Sequence, residues 1–299
     1  MSPQTETRSP CRGANTTPVH AVELSEPTHP QPLRIRDGFE ALSFKHNQFH
    51  GLMDPLVMVD HFTMTEPTFG AHPHAGMSAV SVLFEDSEGR FRNRDSLGHS
   101  VDLLPGDLYW LKAGRGAVHD EAPLSGARTH ALQIFVNLPA RMKQDAPGSL
   151  HVPSATMPVI ERAGARVRVV LGETQGIVGA SSPALPVTIL DANLEAGGGY
   201  AHELPAGRSA WLHTVRGDVS VRVGGRTTRL AEHEAVALRN GATKTQIELH
   251  STARSQVVLL QGTPIDEPFV QQGPFVMSTR DELRAVAADH AAGRLGSID

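Results

Sequence analysis

Two short pairs, His72-Pro73-His74 and His119-Asp120-Glu121, hold the residues of this chain best suited to chemistry. Side chains two apart on a β-strand point to the same face, so each pair can aim two ligands one way. Two such strands brought together would converge three imidazoles and one carboxylate on a single point. Imidazole suits Zn, Cu, Fe and Ni, and a carboxylate adds a hard oxygen. The set His72, His74, His119 and Glu121 therefore predicts a site for one divalent transition-metal ion. Pro73 and Asp120 would then point away from the metal, and Pro73, lacking an amide proton, suits a strand start or edge.

The elements that must position these pairs read as short strands. Alternation begins near Leu33-Arg34-Ile35-Arg36 and recurs over Ser78–Phe84, Ser100–Leu104, Asp107–Leu111 and His130–Leu138. Asp95-Ser96-Leu97-Gly98, Pro105-Gly106-Asp107 and Gly114-Arg115-Gly116 supply the turns. The last of these lies just ahead of His119, so the second pair can open a strand facing the first. A Pro/Gly-bearing stretch, Pro139–Gly164, reads as a linker. A second strand series follows: Arg166–Leu171, Val187–Leu190, Ala210–Val215, Val219–Val223, Glu234–Leu238 and Gln256–Leu260. Strands this short and this punctuated predict a sandwich or barrel rather than a parallel α/β sheet. The tail differs, because Ser278-Thr279-Arg280-Asp281-Glu282 carries a capping signature. Leu283, Val286, Ala287 and His290 then recur at helical spacing before Gly293.

Composition limits the alternatives. The 299 residues suit about two domains. The net charge of −5, with no Lys/Arg-rich run, gives no reason to expect direct nucleic-acid contact. No apolar run approaches the roughly 18 residues of a membrane span. The single cysteine, Cys11, cannot form an internal disulfide, and no signal-peptide core is visible, which points to the cytoplasm. Met1–Thr17 is polar and reads as disordered, with Cys11 an incidental exposed thiol.

The chain has 16 histidines, so chance proximity needs weighing. His20, His29, His46, His50, His151, His233, His250 and His290 lack a partner at ligand spacing and read as surface or loop residues. His61 reads as a packed histidine donating to a backbone carbonyl, and His99 as solvated. His130 is ambiguous. His202 and His213 in the second half form no His-x-His pair, so that half reads as metal-free.

From Asp54 to Pro123 the chain resembles the pirin family of bicupins. The stretches concerned are Asp54-Pro55-Leu56-Val57-Met58-Val59-Asp60-His61-Phe62, His72-Pro73-His74-Ala75-Gly76, Arg94-Asp95-Ser96-Leu97-Gly98, Leu104-Pro105-Gly106-Asp107 and Ala113-Gly114-Arg115-Gly116-Ala117-Val118-His119-Asp120-Glu121. Pro264-Ile265-Asp266-Glu267-Pro268-Phe269-Val270 and Gly273-Pro274-Phe275-Val276-Met277 extend the likeness to the far end. It spans about Leu33 to Gly296. The resemblance implies an all-β chain of two tandem cupin (jelly-roll β-barrel) domains with a short C-terminal helix. The expected divisions are a disordered segment 1–30, a metal-binding cupin 31–145, a metal-free cupin 165–265, and a C-terminal segment 266–299 packing back on the first domain. It also implies that the four motif ligands hold a metal that is commonly iron, with Mn, Ni, Co, Cu and Zn as alternatives. Ala75, Met77, Ser78 and Ala79 stand where the family usually has Arg, Phe, Glu and Thr, so the surroundings of the site depart from the family pattern.

For some bacterial members the resemblance implies cleavage of flavonols such as quercetin by O₂. Glu121 would then be both ligand and general base for the flavonol 3-hydroxyl, and carbon monoxide would be released. Other members imply a non-enzymatic regulator whose metal sets a protein-binding surface, for a transcription factor or other protein partner. A redox-silent Zn site for isomerisation or hydrolysis is a third reading.

Overall fold

The computed structural model describes residues 22–298. The expectations for Met1–Thr17 and Cys11 lie outside the described residues. Most of the chain forms two β-barrels in tandem, each made of a seven-stranded sheet facing a four-stranded one. In the first barrel the larger sheet runs, in spatial order, Gly148–Val152, Leu108–Lys112, Met77–Leu83, Thr129–Asn137, Leu56–Met64, Phe39–Lys45 and Gln31–Ile35. The smaller runs His72–His74, Ala117–Pro123, Phe91–Asp95 and Ser100–Leu103. The second barrel repeats the plan with Ser209–Arg216, Ser255–Gly262 and Val187–Leu194 at the centre of its larger sheet.

Strand alternation explains how the barrels meet. In Leu56–Met64, the side chains of Met58, Asp60, Phe62 and Met64 face the barrel interior. Val59, one residue out of phase, joins a core shared with the other barrel. Ala79, Ser81 and Leu83 alternate in the same way with Val80 and Val82. The second barrel presents Trp211, Val215, Val258 and Leu260 to this shared core and turns Ala210, Leu212, Val257 and Leu259 into its own. Both large sheets are thus largely apolar on two faces, which hides the period-2 signal in their central strands. At the edge of this contact the buried Arg168 guanidinium donates to Asp191 at 3.0 Å and to the Gly106 carbonyl at 3.0 Å, joining the barrels by polar contacts too.

Two stretches differ from the sequence expectation. The stretch read as linker supplies an edge strand to each barrel: Gly148–Val152 pairs with Leu108–Lys112, and Val159–Arg162 pairs with Ala165–Leu171. Open sheet edges need hydrogen-bond partners, and the connecting chain provides them. Residues 22–30, expected within a disordered segment, are also engaged. Glu23–Leu24 pairs with Ala235–Arg239 of the second barrel. The amides of Ser25 and Thr28 donate to the carbonyls of Ala237 and Ala235.

The tail crosses the other way. Val270–Gln272 and Phe275–Met277 form a hairpin, followed by the helix Arg280–Ala291. Thr279 and Glu282 close the capping box reciprocally, as their spacing predicts. Phe275, Met277, Leu283, Val286 and Leu295 bury their side chains against Ala75 and Val118 of the first barrel. The approach is closest at Gly76, where φ is +73° and a Cβ would lie 2.0 Å from the Val276 carbonyl, so only glycine fits. Lys143 Nζ fastens the junction, donating to the carbonyls of Gly76 and Val276 and to Asn137 Oδ1. No helix among the described residues is long and apolar enough to cross a membrane.

Candidate metal centre

The register of the small sheet brings the two motif pairs together. His72–His74 runs antiparallel to Ala117–Pro123, with His72 opposite His119 and His74 opposite Ala117. Phe91–Asp95 lies on the other side and sets Asn93 opposite Glu121. The Nε2 atoms of His74 and His119 are 2.9 Å apart, and those of His119 and His72 are 3.1 Å apart. One ring nitrogen from each of the three lies within 4.8 Å of the others, the one such set of three or more ligand groups among the described residues.

The electrostatics fit a cation. His72 Nδ1–H donates to the Gly70 carbonyl at 2.8 Å, which leaves its Nε2 as a bare lone pair. Burial, aided by the neighbouring imidazoles, pushes His119 well below the usual histidine range and His74 down to about 3. Burial lowers His72 as well. The two Nε2 contacts both meet at His119, and with the His72 proton spent on Gly70 only one of them can be a hydrogen bond. A metal ion resolves that excess of lone pairs.

Glu121 stands beside this set rather than within it. Its Oε1 accepts from Ser81 Oγ at 2.5 Å and from Asn93 Nδ2. Burial pushes its carboxyl up to about 7, against the opposing effect of these two hydrogen bonds. Glu121, His72 and His74 line a cavity of about 640 Å³ within the first barrel. Phe39, Phe62, Phe69, Phe91, Phe135 and the methionines Met58 and Met64 make most of its apolar wall. Gly273 and Pro274 of the C-terminal hairpin contribute to it. A concave, mostly apolar cavity with convergent polar groups at one point is the form of a small-molecule site.

Residues 36–136 match the family model of pirin, and residues 189–296 that of the pirin C-terminal cupin domain. The chain belongs to the pirin family. The pirin of Rattus norvegicus is 34% identical over 246 residues, which cover 82% of this chain and 84% of the relative. A Pseudomonas aeruginosa relative, named provisionally as a quercetin 2,3-dioxygenase, is 33% identical over 255 residues, 81% of this chain and 87% of its own. Among solved structures, a quercetin 2,3-dioxygenase from Acinetobacter baumannii superposes with a TM-score of 0.81 at 25% identity, covering 93% of this chain and all of its own. A bacterial pirin from Escherichia coli in complex with nickel(II) shares the fold, with a TM-score of 0.61 at 18% identity over 81% of this chain and 99% of its own.

The first pirin domain thus contains all four motif residues. His61 departs from its expected carbonyl contact and instead joins a second histidine cluster between the barrels. Its Nε2 lies 2.7 Å from His130 Nε2, and its Nδ1 lies 3.0 Å from His213 Nε2. His130 Nδ1 meets Asp86 at 2.7 Å, and His213 Nδ1 meets the Glu234 carbonyl at 3.2 Å. In the second barrel His202 bonds to Thr174 and Gln261 and, among the described residues, joins no set at the spacing of metal ligands. Sequence reasoning missed Ser81 and Asn93, the two residues that hold Glu121. The signal for Ser81, a serine in a mostly apolar strand, was shared with Ser78 of the same strand.

Proposed function

We propose that His72, His74, His119 and Glu121 hold one divalent transition metal, assigned as iron(II), and that this centre cleaves flavonol-type aromatic substrates with O₂. The observation that carries this reading is the convergence of three neutral imidazoles on the wall of a cavity lined by aromatic side chains. The quercetin dioxygenases among the relatives support the substrate class, and the nickel(II) complex of a related pirin supports a metal at this kind of site.

A bound redox-active metal would supply the electron exchange with O₂ that ring cleavage needs. The chain supplies the rest. The aromatic wall takes up the planar substrate and excludes water. Glu121, held by Ser81 and Asn93, receives the proton of the flavonol 3-hydroxyl at a carboxylate oxygen. Burial raises this carboxyl above the ordinary glutamate range, which favours its taking up that proton. The hydroxyl oxygen then carries the negative charge that makes the ring electron-rich. In the overall reaction both oxygen atoms enter the product, two ring C–C bonds break and carbon monoxide leaves.

The test is O₂ consumption by anaerobically iron-loaded protein given quercetin, compared with the metal-free protein. Metal-dependent uptake is the expected result. No uptake with iron shown to be bound would overturn the dioxygenase reading and favour a non-enzymatic regulator that binds a protein partner.

A further inference from the structure

The cavity has a second polar feature that the chemistry above does not use. It lies on the large sheet, facing the sheet that carries the histidines. Register pairs Ser43 with Asp60, Asp60 with Gln133, and Gln133 with Ser81, so the four form one row across adjacent strands. The row ends at Glu121, because Ser81 Oγ lies 2.5 Å from Glu121 Oε1 and 3.0 Å from Gln133 Oε1. Asp60 and Gln133 line the cavity between Met58, Phe62 and Phe135.

Asp60 is the member without an evident structural reason. It is 7% exposed, and its Oδ1 has no hydrogen-bond partner in the protein. Its carboxyl takes one hydroxyl, from Ser43, and feels the charge of Lys45 at the cavity edge. A buried acceptor serving only the fold is normally satisfied by the fold, because leaving it bare is destabilising. This one faces a ligand-sized cavity. It sits two strand spacings, about 10 Å, from Ser81, the residue that holds Glu121.

We propose that Asp60, with Gln133 beside it, is a second anchor of the cavity that accepts a hydrogen bond from a phenolic hydroxyl remote from the metal end. The inference rests on the dioxygenase reading for the ligand's orientation and deepens it. The site selects aromatic compounds with two hydroxyls set well apart, one near Glu121 and one at Asp60. A site built to hydrogen-bond a hydroxyl discriminates strongly against the analogue lacking it, since its own buried group is then left unpaired.

The experiment is anaerobic equilibrium binding of 3-hydroxyflavone, galangin and quercetin to iron-loaded protein, for wild type, Asp60→Ala and Asp60→Asn. Metal content and circular dichroism are checked for each variant. 3-Hydroxyflavone carries the single hydroxyl, whereas the other two add distal ones. Wild type is expected to bind galangin or quercetin about tenfold or more tighter than 3-hydroxyflavone. Asp60→Ala should bring that ratio close to one, while Asp60→Asn, which keeps an acceptor oxygen, retains part of it. If Asp60→Ala does not fold, the Asp60→Asn ratio decides. An unchanged ratio in the variants, no preference in wild type, or no binding of any of the three overturns the proposal. O₂ uptake on the same samples separates the two ideas. Preference without uptake keeps the anchor and removes the dioxygenase, and uptake without preference does the reverse.

Discussion

Among the described residues, two triads of histidines are built on opposite plans. His72, His74 and His119 converge, each presenting Nε2 to one point. His130, His61 and His213 are strung end to end, from the Asp86 carboxylate to the Glu234 carbonyl. The string has four links and each needs one ring proton. Three neutral imidazoles bring three. Each ring's single proton then makes one link, so neutral rings satisfy three of the four. Burial favours the neutral form, holding His61 well below the usual range and His213 down to about 3. A string spends its lone pairs on protons, whereas a convergent set leaves them over for a cation. Burial and histidine content alone therefore do not identify a metal site.

Metal binding should separate the triads most sharply. His74→Ala or His119→Ala should lose bound iron by more than the roughly 10–100-fold that removing an outer-shell partner costs. His61→Ala and His213→Ala should retain full stoichiometry, as read by elemental analysis after competition with a chelator. Metal loss in His213→Ala would erase the distinction drawn here. Glu121→Gln asks whether the convergent triad is complete without its carboxylate. It should keep much of the metal yet lose nearly all O₂ uptake with quercetin, and full retained activity would remove Glu121 as the base.

Stability should divide the triads in the reverse sense. In metal-free protein, His213→Ala should cost about 2–4 kcal/mol in urea unfolding, because it opens a buried gap and orphans its partners. His74→Ala should cost less, since it relieves opposed lone pairs. A further contrast concerns pH. The folded-state values of about 3 for His74 and His213 lie below the ordinary 6.5, so their contribution is present above pH 6.5 and is lost as pH falls below it. The slope is at most about 1.4 kcal/mol per pH unit for each fully coupled group. Saturating metal should hold His74, with His72 and His119, unprotonated to still lower pH and so steepen the acid loss, while leaving the share of His213 unaltered. A metal-bound protein with unaltered acid sensitivity would contradict this.

The convergent triad was legible in sequence because its members sit two apart on strands, where spacing fixes direction. The capping box at Thr279 and Glu282 was legible for the same reason, being local. The string was not. His61 and His213 are 152 residues apart, and only the packing of one barrel on the other brings them together. Asn93 reaches Glu121 through a strand register that depends on which strands become neighbours. Asp60 reads as one acid in an apolar run until the cavity beside it is seen. The stretch 139–164 carries real turn signals, yet its strands exist only because two sheet edges are there to receive them.

The crossing of the two chain ends has a further consequence. Glu23–Leu24 completes the far barrel's sheet, and the hairpin and helix beyond Gly262 complete the near barrel's surface and part of its cavity wall. Each half therefore carries a piece of the other. Cutting the gene at the connection between barrels would yield two incomplete fragments rather than two domains. During synthesis, the cavity in the first-made half stays unfinished until the hairpin at 270–277 has followed the second barrel out of the ribosome.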